Sequence, residues 1–187
     1  IVKDPETGVQ NSALHRHQIF NKNQMGIFMV PNRHTDLVYQ KYEAKNEKTP
    51  FALVIGHHPM LLLTSCWTFP KDVYEIDMAG TFLGEPIREV MCETVDLRVP
   101  ADAEIVIEGY IIPHERKIEG PFTEHTGYAR AGAGLNPYIE VTCITRRKDA
   151  IYHALQGGKP IASSQILDAI PQEIVIWERV KDVGGFV

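Results

Sequence analysis

Runs of β-branched and aromatic residues, several alternating with polar ones, dominate the chain and fall at 26–30, 51–55, 89–95, 104–112, 138–145 and 173–177. In the fourth run Ile105 and Ile107 share one face, while Glu104, Val106 and Glu108 share the other. That is the pattern of a half-buried antiparallel strand. Pro31, Pro50, Pro59, Pro100 and Pro113 sit beside the runs, where a missing N–H does least harm. Helical signals are fewer. Residues 36–45 read as an amphipathic helix capped by Thr35 or Asp36, with Leu37, Val38 and Ala44 inward. Residues 149–156 read as a short helix ended by Gly157-Gly158, and a third opens at Ser163 or Ser164 and stops before Pro171. Many strands without a βαβ rhythm predict a mainly β fold with a few helices, a Greek-key-like or split β-barrel of mostly antiparallel strands.

With 187 residues, 44% of them hydrophobic, the chain can build one core. A formal charge of -5 argues against a nucleic-acid surface, and the basic cluster Arg146-Arg147-Lys148 is too short to track a backbone. No apolar run reaches the length of a membrane span. Cys66, Cys92 and Cys143 are odd in number and far apart, which suits reduced thiols in a cytoplasm rather than a disulfide framework. The chain starts at Ile1 and stops at Gly184-Gly185-Phe186-Val187, so a piece of a longer protein is expected. On this reading 1–187 form a central domain, and 147–187 lead toward a further one.

The polar stretches carry the candidate chemistry. Glu119-Gly120-Pro121-Phe122-Thr123-Glu124 places two carboxylates around a Gly-Pro turn. Like charges at one site push one carboxyl toward the neutral acid, while a neighbouring arginine keeps the other ionised. Two solvated loop glutamates are the plain alternative. Arg16 could hold a carboxylate bidentately, and Asn11 could offer an amide oxygen to a hard cation. An Asx-turn and a surface arginine would explain the same residues. His15 and His17 alternate with Arg16 and read as surface groups or groups behind the site. His34 closes a strand, and Glu75 lies in a polar loop. With Asn11 they make an N/O set suited to Mn²⁺ or Mg²⁺. Gly56-His57-His58-Pro59 looks like a metal motif but reads as a turn, because adjacent side chains on an extended segment diverge. Thr64-Ser65-Cys66-Trp67 could hold a planar cofactor, or form a buried turn around a core Trp67. Glu104 and Glu108 have an ordinary structural reading.

These motifs together resemble the UbiD-like (de)carboxylases that use prenylated FMN. The likeness rests on Asn11-x-Ala13-x-x-Arg16, Gly56-x-x-Pro59, the Val99 to Gly109 run, and Glu119-Gly120-Pro121-Phe122-Thr123-Glu124-x-x-Gly127-Tyr128. The resemblance implies a central flavin-binding domain with a split β-barrel like that of flavin reductases. It implies Arg16, Glu119 and Glu124 as the catalytic network, and Asn11, His34 and Glu75 as ligands of a divalent metal, usually Mn²⁺. Contacts to the prenylated flavin would come from Ala13, Leu14, His15, Arg33, His34, Ser65, Cys66 and Trp67, with K⁺ near its phosphate. A lysine on that phosphate would lie beyond Val187.

The implied activity is reversible non-oxidative decarboxylation of an aromatic or α,β-unsaturated carboxylic acid. Implied partners are that acid, further copies of the full-length chain, and a flavin prenyltransferase that supplies the cofactor. Three departures stand out: Ala13 where Gly is common, Thr123 in place of the Gly of the usual EGPFGE pattern, and His125 at an often apolar position. A flavin-binding oxidoreductase barrel and a non-catalytic assembly fragment are the alternatives.

Overall fold

The computed structural model describes residues 1–123, 128, 132–158 and 162–182. Its strands and helices are, in chain order, β1 (Val2–Lys3), β2 (Gln10–Asn11), β3 (Ile19–Asn21), β4 (Gln24–Gly26), α1 (His34–Ala44), β5 (Thr49–Ile55), α2 (Pro59–Cys66), α3 (Glu75–Leu83), β6 (Glu89–Met91), β7 (Arg98–Pro100), β8 (Ile105–Ile111), β9 (Lys117–Glu119), β10 (Gly134–Asn136), β11 (Tyr138–Arg146) and α4 (Ser163–Asp182). The mainly β character with a few helices is as expected. Every pairing between the described strands is antiparallel. The described strands form open sheets and do not close into a barrel. One sheet has five strands in the order β3-β4-β11-β8-β5, and three ribbons have two strands each.

The five-stranded sheet divides two cores because its strands alternate faces. On β5, Phe51 joins Met25, Ile27, Val38, Tyr39, Ile111 and Ile139, under α1. The next residue, Ala52, joins Leu61, Ile76, Leu97, Val99 and Val106, under α2 and α3. At the middle of β8, Gly109 is required by close approach: a Cβ there would lie 2.2 Å from the Glu140 carbonyl oxygen of β11. The adjoining pairing shifts register between Val141 and Cys143, a bulge next to this close approach.

The helices depart most from expectation. Helix α1 begins after Arg33, without a side-chain cap; Val38 is buried as expected, together with Thr35 and Tyr39, but Leu37 is half-buried and Ala44 exposed. Helix α2 occupies the stretch read as turns: Pro59 stands in its first turn and His58 Nδ1 accepts the Met60 N–H at 3.2 Å. Helix α3 starts at Glu75 and stops at Gly84, whose φ of 78° closes it. Residues 149–156 form no helix. Helix α4 runs through Pro171 and takes in 173–177, the run expected as a strand. No helix among the described residues is long and apolar enough to cross a membrane.

Candidate functional site

Strand β2 is locked first. Gln10 donates to the Tyr74 hydroxyl at 2.8 Å and to the Arg98 carbonyl at 3.0 Å, and accepts the Arg98 N–H at 2.7 Å. That lock sets Asn11 against the first residue of α3. Asn11 Nδ2 donates to Glu75 Oε1 at 2.7 Å, and the Ser12 N–H donates to Oε2 at 2.6 Å. Glu75 is therefore a buried helix-opening residue, not the exposed loop glutamate expected from sequence. Burial raises its pKa against these bonds, and no cation side chain is paired with it among the described residues.

The chain of contacts continues into α1. The Thr35 hydroxyl lies 3.0 Å from Asn11 Oδ1 and 3.0 Å from His15 Nε2, while His15 Nδ1 lies 3.0 Å from the Phe28 carbonyl. Burial drives the His15 pKa down to about 3, so the ring is neutral and donates from Nδ1 to Phe28. Its Nε2 is then an acceptor. With Glu75 ionised, Asn11 turns its nitrogen to the carboxylate and its oxygen to Thr35. One hydroxyl proton thus stands between two acceptors, Asn11 Oδ1 and His15 Nε2. A hard cation on the Asn11 oxygen and Glu75 would remove both shortages, so this donor set fits one. His34 precedes Thr35 at the start of α1. Its pKa is lowered by partial burial, with Lys71 and Arg33 adding to the effect, which keeps a ring nitrogen available as a ligand. Among the described residues no three His, Cys, Asp or Glu side chains gather as a metal cluster, so the set relies on the Asn11 amide.

A cavity of about 80 Å³ adjoins this network and is lined by Ser12, Ala13, Leu14, His15, His17 and Ser65, among others. Four of the residues expected at a cofactor, Ala13, Leu14, His15 and Ser65, thus share one cavity. Ser12 and Ser65 hydroxyls join across it at 2.9 Å. Arg33, His34, Cys66 and Trp67 are not among its lining. Arg33 reaches the Thr68 hydroxyl at 3.1 Å, and Trp67 stacks between Phe69 and Phe82 at 5.3 and 5.7 Å. Burial pushes the Cys66 thiol up to about 11, so it stays protonated. His17, expected near the surface, keeps slight exposure but points its ring inward: Nδ1 donates to the Gly26 carbonyl at 2.8 Å, and desolvation lowers its pKa to about 4. His57 lines both this cavity and a wider groove of about 610 Å³ bordered by Arg88, Asp102 and Glu104.

The second half of the site joins distant segments. Arg16 NH2 donates to Glu119 Oε2 at 3.2 Å across 103 positions of sequence. The Arg16 guanidinium also lies 4.3 Å from the centre of the Phe28 ring and 4.8 Å from that of Phe122. Two aromatic faces and a carboxylate hold one cation in place. Gln18 Oε1 accepts the Gly120 N–H at 2.8 Å and ties the Gly-Pro turn to the same segment. Glu124 and His125 lie outside the described residues. The sequence reading passed over Ser12, Thr35, Phe28 and Asn136. Only the small hydroxyls beside Asn11 and His34 are adjacent to named candidates; Phe28 follows β4, and Asn136, whose amide donates to Glu119 Oε2 at 2.8 Å, lies on β10.

The Val2–Asn11 ribbon, the Arg16 site and the sheet lie within residues 1–160, which match the family model of the UbiD 3-octaprenyl-4-hydroxybenzoate carboxy-lyase Rift-related domain. The chain belongs to the UbiD family.

Among UbiD-class structures, the chain is similar to an evolved dimeric form of HmfF from Pelotomaculum thermopropionicum in complex with prFMN. The two are 38% identical with a TM-score of 0.89, over 97% of this chain and 41% of that one. It is also similar to vanillic acid decarboxylase of Sedimentibacter hydroxybenzoicus in its closed form, at 30% identity and TM-score 0.81, over 88% of this chain and 35% of the other. Apo 3,4-dihydroxybenzoic acid decarboxylase AroY of Klebsiella pneumoniae shares 28% identity at TM-score 0.83, with 97% and 39% covered. An uncharacterized protein of Archaeoglobus fulgidus is 38% identical over 161 residues, 86% of this chain and 33% of its own. The chain therefore spans only about two fifths or less of the relatives it matches.

Proposed function

We propose that these residues form the central cofactor-binding domain of a carboxy-lyase that decarboxylates an aromatic or α,β-unsaturated acid, reversibly and without oxidation. The observation that carries this is the Arg16–Glu119 pair, formed across 103 positions, with Arg16 set in the chain between His15 and His17, which line the cavity with Ala13, Leu14 and Ser65. Prenylated FMN, when bound, would supply the electron sink that no side chain offers for the carbon losing CO₂.

Arg16 would receive the substrate carboxylate, its guanidinium already aligned by Phe28 and Phe122. Glu119 would orient Arg16, and Glu124 would deliver the proton to carbon. Asn11, His34 and Glu75 would hold Mn²⁺, with K⁺ nearby. Arg33, His34, Cys66 and Trp67 would complete the contacts begun by the cavity residues. The low pKa of His15 suits this setting, since a neutral ring leaves the Arg16 charge without competition. A homo-oligomer of the whole cytoplasmic protein, loaded by a flavin prenyltransferase, is the working form under this proposal.

Mass spectrometry of the cofactor in anaerobically purified protein, joined to turnover of a panel of aromatic and unsaturated acids, tests it. Prenylated FMN and CO₂ release are expected, and Glu124→Gln should keep the flavin while losing about 10²–10⁴-fold in turnover. Protein that carries only unmodified FMN and reduces it with a nicotinamide donor would replace this reading with an oxidoreductase.

A further inference from the structure

Glu119 closes β9, and the residue directly across from it on β10 is Gly134. With no side chain at that position, the face of the ribbon is open beside the carboxylate. Asn136, two residues along β10 and on the same face, fills it: a Cβ built at Gly134 would sit 3.7 Å from Asn136 Nδ2. That nitrogen donates to Glu119 Oε2 at 2.8 Å, the oxygen that also accepts from Arg16 at 3.2 Å. The other oxygen, Oε1, is buried and accepts no hydrogen bond among the described residues. A bare carboxylate oxygen away from solvent is costly and uncommon. The two oxygens of one carboxylate have thereby been made unequal.

We propose that Asn136 is a positioning residue that holds Glu119 by Oε2, so that Oε1 is the oxygen presented to a proton-bearing group of the substrate. The inference rests on the proposed roles of Arg16 and Glu119 and adds a division of labour between their contacts. Arg16 must be able to turn its donors toward a substrate carboxylate. When it does, Asn136 still anchors Oε2, and Oε1 keeps its direction. An amide suits this task because it donates without bringing a second charge to the pair.

The test uses the protein loaded with prenylated FMN, with Asn136→Leu and Asn136→Asp, two substitutions of similar size that remove the amide donor. For both, kcat should fall about tenfold or more while KM and flavin per chain stay within about twofold, the loss expected for one charge-assisted contact that orients a reacting group. A crystal structure of Asn136→Leu should show the Glu119 carboxylate turned about its last torsion, with Oε1 no longer bare. Unchanged kcat in the leucine variant, or an unmoved Glu119 in its structure, overturns the proposal. So does a parallel fall in melting temperature and flavin content with no separate change in kcat, the signature of a merely structural amide. If the parent protein turns over no acid, the proposed function fails, and the Glu119 orientation in the variant structure alone decides this inference.

Discussion

Glu75 and Glu119 are buried to the same degree, 2% exposed each, yet their surroundings treat the charge differently. Glu75 takes one neutral donor on each oxygen, from Asn11 and Ser12, and burial raises its pKa. Glu119 takes an arginine and an amide on one oxygen and, among the described residues, nothing on the other. The first is a carboxylate short of positive charge. The second has its charge answered and one oxygen in reserve. Burial alone therefore says little about role, and the partners on each oxygen say more. A group lacking a cation is suited to acquiring one, whereas a group held by one oxygen is suited to orienting its neighbours.

The largest expected effect separates the two. In the cofactor-loaded protein, Glu119→Gln should lower turnover by about 10²-fold or more with flavin retained, as expected when a positioned charged group of an acid–base network is neutralised. Glu75→Gln should instead lower Mn²⁺ and flavin content together, seen by metal analysis and the visible spectrum. In the same contrast, Mn²⁺ at about a hundred times its Kd should stabilise the parent by about 2.7 kcal/mol and the Glu75 variant hardly at all. If Mn²⁺ shifts both equally, the cation binds elsewhere and the contrast collapses.

How far each region was legible follows from the range of its contacts. Strands β5, β8 and β11 could be read because their alternation reflects faces that really are buried in turn, Phe51 on one core and Ala52 on the other. Arg16, Glu119 and Asn11 could be named from motifs, but not their partners: the Asn136 amide reaches Glu119 only through the register of a ribbon. The helices failed for local reasons. Pro59 suits a strand's flank and a first helical turn equally, and Pro171, a stop signal in sequence, lies inside α4, which continues through it. The β-branched run at 173–177 misled because its residues do not line a sheet: Ile174, Ile176 and Trp177 are exposed on a helix. Glu75 looked like a loop residue because nothing in its own neighbours announces that Asn11 and Ser12 will close over it.

A smaller effect comes from the pair of histidines that flank Arg16. Their pKa values, about 3 for His15 and about 4 for His17, lie below the 6.5 of an unfolded chain. Below pH 6.5 the unfolded chain binds protons that the folded one refuses, so stability is full above that pH and falls as the pH drops toward 4. At pH 5 the loss is about 2 kcal/mol for each histidine. Urea midpoints measured from pH 7.5 to 5 should show this fall, and His17→Phe should remove about half of it. Glu75 works in the opposite sense at the acid end. Its raised pKa means that stability declines as pH rises through the ordinary carboxylate range, and bound Mn²⁺ should abolish that part. A flat pH profile in the parent would show that the rings are hydrated and that the Arg16 region is wetter than its packing suggests.

The smallest effect sharpens the comparison by adding a third carboxylate with no site around it. Glu108, on β8, is 1% exposed, more deeply buried than either of the others. Its oxygens accept the Glu93 N–H at 3.0 Å, the Thr94 N–H at 2.7 Å and the Thr94 hydroxyl at 2.8 Å. Neither oxygen is bare, and the donors belong to the turn that leads from β6 to β7. The side chain closes that turn against the sheet. Glu108→Gln keeps the shape but offers an amide N–H where an acceptor is needed, so it should cost about 1.5 kcal/mol, the worth of a hydrogen bond to a charged group. Flavin content, Mn²⁺ content and turnover per folded molecule should match the parent. Chemical denaturation and activity measured on the same preparation give both quantities. Loss of turnover without loss of stability in this variant would mean that depth of burial, not the pattern of partners, marks the working carboxylates here, and the distinction between Glu75 and Glu119 would lose its basis.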